Sequence, residues 1–163
     1  MASSLKNLSS HSTVRSTSAG KIKIGIVVSE WNPEVTEKLF EGACKTLISS
    51  GVKKENILKK YVPGSFELIL GAQLLGKTKK MDAVICLGCV IQGETRHFDF
   101  ICEAVANGIM KLNIKYNKPF IFGVLTTDNL QQAKDRSGGK HGNKGVEAAV
   151  TAIKMVAFKN NLK

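Results

Sequence analysis

Residues 22–28 read I-K-I-G-I-V-V, and residues 29–33, S-E-W-N-P, interrupt them. Val35, Leu39, Ala43 and Leu47 then recur every fourth position up to Gly51. The first run is β-branched and nearly continuous, the mark of a strand buried on both faces. The second is the apolar stripe of an amphipathic helix, with Gly51 placed to close it. A buried strand followed at once by a helix is half of a parallel β-α-β unit.

The same alternation continues outward from this pair. Residues 57–62 form a second strand, stopped by Pro63-Gly64, and residues 65–75 a helix with Gly76 as its cap. A third strand spans 83–91 and a long helix 98–116. A fourth strand, P-F-I-F-G-V-L, occupies 119–125, and a short helix 130–136. A glycine-rich break, S-G-G-K-H-G, leads into a last helix over 143–158. The order β-α-β-α-β-α-β-α-α predicts an α/β fold. It is a three-layer α/β/α sandwich: a four-stranded parallel sheet, right-handed crossovers, helices on both faces.

The chain has 163 residues, which suits one domain. Hydrophobic residues make up 43% and charged residues 23%, which excludes bulk disorder and disulfide scaffolds. No apolar run reaches the ~18–20 residues of a membrane span. Residues 1–20 differ from the rest: seven Ser, two Thr, two basic residues and no acid. They have too little apolar surface to offset ordering and lack a secretory apolar core. They read as a disordered tail before a single domain over 21–163. A transit peptide is the other reading, disfavoured by the short length and single Arg. The net charge of +11 invites anionic partners, but the lysines are scattered and no run of five like charges occurs. Cys44, Cys86, Cys89 and Cys102 lie in apolar segments, as reduced, buried thiols of a cytoplasmic protein do.

In open parallel sheets ligands bind beyond the carboxyl ends of the strands. The residues after each strand therefore carry the functional reading. Gly93-Glu94-Thr95-Arg96-His97 opens a helix, whose free N–H groups bind anions. His97 beside such a site is a general acid/base candidate, while Thr95 alone also serves as an N-cap. Pro63-Gly64-Ser65-Phe66-Glu67 offers either an N-cap serine or backbone N–H groups for a heterocycle. Trp31, the only tryptophan, either packs or stacks on a ligand. Arg136 and Lys144 flank the glycine-rich break, as solvated helix-end cations or as phosphate ligands. Cys86-x-x-Cys89 has a metal-like spacing, but positions three apart on a strand face opposite ways and no second pair follows. Neither a Walker A sequence nor G-x-G-x-x-G is present.

Five segments taken in order carry a resemblance: K-I-G-I-V-V with Trp31-Asn32; V-P-G-S-F-E-L; L-G-C-V-I-Q-G-E-T-R-H-F-D; P-F-I-F-G-V-L-T-T; and D-R-S-G-G-K-H-G-N-K-G-V-E-A-A. Together, from Lys21 to Ala157, they closely resemble the lumazine synthases of riboflavin biosynthesis. The resemblance implies a flavodoxin-like topology. It also implies condensation of 5-amino-6-(D-ribitylamino)uracil with 3,4-dihydroxy-2-butanone 4-phosphate, without metal or cofactor. Trp31 would stack on the pyrimidine. Ser65, Phe66 and Glu67 would hold the ribityl chain and ring N–H edges, and Cys89, Val90 and Ile91 would give backbone contacts. Glu94 and Thr95 would bind phosphate, and His97 would move protons. Phe122 and Arg136 would come from a neighbouring subunit, with Lys144 in support. That makes the active unit a homopentamer. The uninterrupted stretch from Arg136 to Lys144 resembles members that build sixty-subunit shells from twelve pentamers, with riboflavin synthase as a candidate partner. Ile69 departs from the family's frequent Pro. The competing classes are a non-catalytic, flavin-binding flavodoxin-like module and a basic nucleic-acid binder, the latter without any recognition motif.

Overall fold

The run of β-branched residues at 24–28 pairs on both sides, and this places it at the centre of the sheet. In the computed structural model, which describes residues 19–78 and 80–162, β1 (Ile24–Ser29) lies between β2 (Ile57–Val62) and β3 (Ala83–Ile91). β4 (Phe120–Thr127) closes the far edge, so the order is β2-β1-β3-β4, all parallel. All six residues of β1 are buried, as continuous apolar patterning requires.

Side-chain alternation divides the core into two layers. Ile24, Ile26, Val28, Ile85 and Leu87 face α1 (Pro33–Ser49), α4 (Leu130–Arg136) and α5 (Lys144–Asn161). Val27, Val84, Cys86, Phe120 and Val124 face α2 (Leu68–Thr78) and α3 (His97–Tyr116). Cys86 and Cys89 thus fall in opposite layers, as strand geometry dictates. Pro33 opens α1, and Gly51 follows its end at φ +99°, the left-handed conformation that glycine adopts without penalty.

Several expected boundaries shift. Gly76 is not a cap but lies inside α2: a Cβ there would stand 2.7 Å from Phe120 Cζ, so glycine lets this helix approach the sheet. Ser65 does not cap α2, which starts three residues later; its carbonyl accepts from Leu68 N–H. The fourth strand runs two residues past 125, and the glycine-rich break is a small antiparallel hairpin, β5 (Ser137–Gly139) and β6 (Gly142–Asn143). Asn143 secures it. Its Oδ1 caps α5 by accepting from Gly145 and Val146, and its Nδ2 donates to the carbonyls of Lys38 and Ser137. The tail expected over 1–20 lies outside the described residues except for Ala19 and Gly20. Those two begin a short 3-10 turn, and Ala19 is buried. No described helix is long and apolar enough to cross a membrane.

Candidate active site

The chain leaves β1 towards α1 on one face and β3 towards α3 on the other. The crevice between these two strands is the switch point of the sheet, where open α/β folds bind ligands. A cleft of about 720 Å³ opens there. Its walls come from four segments: Trp31 and Asn32 after β1, Gly64 to Glu67 after β2, Cys89 to Ile91 on β3, and His97 with Ile101 on α3.

Local bonds hold these segments together. Glu30 N–H donates to Val62 O at 2.9 Å and Trp31 N–H to Pro63 O at 3.3 Å, carrying the β1–β2 ladder into both loops. The Trp31 indole is left 71% exposed over the cleft rather than packed. Asn32, which the sequence places after β1 without a role of its own, has a structural one. It adopts the left-handed conformation, φ 57°, which Asn tolerates better than most residues. Its carbonyl accepts from Val35 and Thr36 N–H, while its Nδ2 donates to Cys89 O at 3.2 Å. One side chain therefore ties the end of β1 to β3 across the cleft floor. The signal was present in Trp31-Asn32-Pro33: an Asn ahead of a helix-opening Pro.

Ser65 is 6% exposed, lines the cleft, and its Oγ has no hydrogen-bond partner among the described residues. Buried hydroxyls are normally satisfied, so an unpaired one in the cleft wall stands out. Gly88 makes the arrangement possible, since a Cβ there would stand 2.7 Å from Ser65 Oγ. Phe66 is half exposed. His97 is the first residue of α3, one turn before Ile101. Thr95 is not the N-cap; Arg96 is, without a side-chain bond, and Thr95 Oγ1 only weakly accepts from His97 N–H at 3.4 Å. Glu94 and Thr95 lie exposed on the loop between two cleft-lining residues, Ile91 and His97.

Phe122, Arg136 and Lys144 do not line this cleft within the chain. Phe122 is 37% exposed on the edge strand β4. Arg136 and Lys144 meet elsewhere, on the carboxylate of Glu147. Metal chemistry finds no donor set: no group of three His, Cys, Asp or Glu that could hold an ion occurs among the described residues.

All four cysteines are free, but Cys44 and Cys102 are only half-buried, contrary to the expectation of four buried thiols. Burial pushes the Cys89 thiol up to about 11 and the Cys86 thiol up to about 12. The thiolate is the reactive form, so at pH 8 Cys89 stays overwhelmingly in the unreactive thiol form. Alkylation of the native protein at pH 8 is expected to leave Cys86 and Cys89 unmodified by mass spectrometry. Early labelling of Cys89 would show that this part of the cleft floor is open to solvent.

Fold and cleft together define an open-sheet α/β protein with a cleft at its switch point. The 6,7-dimethyl-8-ribityllumazine synthase family model matches residues 21–160. The chain is 62% identical to the 6,7-dimethyl-8-ribityllumazine synthase of Cytophaga hutchinsonii, covering 96% of this chain and 98% of the relative. It is 59% identical to that of Parabacteroides distasonis over 97% and 99%, and 51% identical to that of Christiangramia forsetii over 100% and 98%. The chain belongs to the 6,7-dimethyl-8-ribityllumazine synthase family, and its function is catalytic, in riboflavin biosynthesis. The flavin-binding module and the nucleic-acid binder are not favoured.

Proposed function

We propose that the switch-point cleft binds 5-amino-6-(D-ribitylamino)uracil and that His97 serves the proton transfers of its condensation with 3,4-dihydroxy-2-butanone 4-phosphate. The products are 6,7-dimethyl-8-ribityllumazine, phosphate and water. The supporting observation is that Trp31, Ser65, Phe66, Glu67, Cys89, Val90, Ile91 and His97, from four separate segments, line one cleft. Trp31 stacks on the flat ring. The Ser65 hydroxyl, Glu67 and the backbone of Cys89 to Ile91 meet its polar edges and polyol chain. Glu94 and Thr95 hold phosphate through backbone N–H groups beside His97. The uracil amine attacks the ketone and loses one water to give an imine, phosphate is eliminated from the four-carbon unit, and ring closure by the ribitylamino nitrogen expels a second water. No step needs a covalent enzyme nucleophile; holding two substrates together supplies much of the acceleration.

Phe122, Arg136 and Lys144 complete the site from a neighbouring subunit of a homopentamer, and twelve pentamers form a sixty-subunit shell in the cytoplasm. Riboflavin synthase is the candidate partner of that shell. The domain begins near Lys21, and the tail before it takes no part in catalysis. The assembly is supported by exposed apolar side chains at helical spacing, Leu70 and Leu74 on α2 and Met110 and Ile114 on α3, with Phe66, Phe100 and Phe122. Apolar side chains left exposed together are the kind of surface that protein contacts cover. Mixing the two substrates is expected to yield lumazine fluorescence and equimolar phosphate; a folded protein without turnover would overturn the reading.

Trp31 allows a direct test because no other indole contributes to emission. Ribityllumazine or riboflavin is expected to quench it with one site per subunit. Trp31→Ala is expected to weaken these ligands by about 2 kcal/mol, with base–aromatic stacking as the guide, and Trp31→Phe to retain most affinity. Emission indifferent to saturating ligand would make Trp31 a surface residue without a stacking role.

A further inference from the structure

Glu147 stands in the first turn of α5, and its side chain is only 11% exposed. A carboxylate this deep needs positive partners. It has two, one on each oxygen: Arg136 Nη2 donates to Oε1 at 3.2 Å, and Lys144 Nζ donates to Oε2 at 3.0 Å. Arg136 Nη1 also donates to His141 O at 3.0 Å, which pins the guanidinium to the β5–β6 hairpin. The two cations come from opposite ends of that hairpin and share one anion. Without it they are like charges gathered at one point, and Lys144, 29% exposed, has water to turn towards.

The donor count leaves the pair usable. A guanidinium has five N–H donors and an ammonium three. Two are occupied on Arg136 and one on Lys144 among the bonds to described residues, so both cations keep further donors. The cluster carries two positive charges and one negative. It attracts phosphate while its geometry is already fixed before phosphate arrives.

We infer that Glu147 is a positioning residue that presents Arg136 and Lys144 as a preassembled pair to the phosphate of the butanone substrate. This rests on the reading of those two cations as phosphate ligands. Glu147 touches no reacting atom. Its charge holds two repelling cations side by side, and its burial keeps them from relaxing into solvent.

The test is steady-state kinetics on E147Q, E147D and R136A, with both substrates varied and melting temperatures measured. E147Q keeps the shape and loses the charge. It is expected to raise KM for the butanone phosphate about tenfold, as loss of a charge-assisted contact does, and to leave KM for ribitylaminouracil within about twofold. Inorganic phosphate is expected to inhibit E147Q correspondingly more weakly. E147D keeps the charge on a shorter arm and is expected to raise the same KM by less. It also serves as the test should E147Q fail to fold. An E147Q KM for the butanone phosphate equal to the parent's, with R136A raised, overturns the role of Glu147 alone. Both substrate KM values rising together with a lowered melting temperature overturns it in favour of plain stability. R136A with a parental KM overturns the phosphate reading and this inference with it.

Discussion

Replacement of His97 by Gln is expected to lower turnover about a hundredfold, the low end for loss of a general acid/base. The low end is expected because bringing the two substrates together provides much of the acceleration without it. His97 is well placed for the role. It opens α3, lines the same cleft as Trp31 and Ser65, and follows directly on the exposed Glu94-Thr95 loop. In the proposed binding mode, a proton donor there lies between ring and phosphate. The Gln side chain fills similar space but does not exchange protons, so both KM values are expected to stay within about threefold while kcat falls. Rapid-mix and steady-state assays of lumazine formation separate the two. Parental turnover in His97→Gln would remove this residue from the mechanism.

Arg136→Ala is expected to weaken the butanone phosphate by about 1.5–3 kcal/mol and to spare the ribitylaminouracil. The effect is large because the guanidinium is anchored rather than free: its side chain is 17% exposed and bonded to both His141 O and Glu147. An anchored fork loses little entropy on meeting phosphate. Separate titration of each substrate checks the prediction. Equal losses for both would mean that the variant has disturbed the hairpin, to which Arg136 is also tied.

Legibility in the sequence followed the range of the interaction concerned. The strand at 57–62 and the short helix at 130–136 have the boundaries that local pattern predicts, because apolar runs, Pro63 and helical spacing act over a few residues. Gly76 misled for the opposite reason. A glycine near a helix end signals a cap locally, but here the deciding contact is with Phe120, 44 positions away (120 − 76) on another strand. Ser65 shows the same limit: of its two readings the local one, the N-cap of α2, is not realised, and its hydroxyl lies by Gly88 at the cleft.

The candidate site divides along the same line. By itself the sequence determined the alternation of strands and helices, hence a parallel sheet, and placed Trp31, Ser65 and His97 just beyond strand ends. The periods that encode these facts are properties of the chain's own backbone. Only the tertiary structure decided that the loops after β1, β2 and β3 share one cleft, since this follows from strand order and register. It alone gave Asn32 its bond to Cys89, 57 residues distant, and set Glu147 between Arg136 and Lys144. A side chain's partner depends on what packing brings within about 3 Å, and hydrogen bonds fall off too steeply with distance and angle for sequence spacing to fix them.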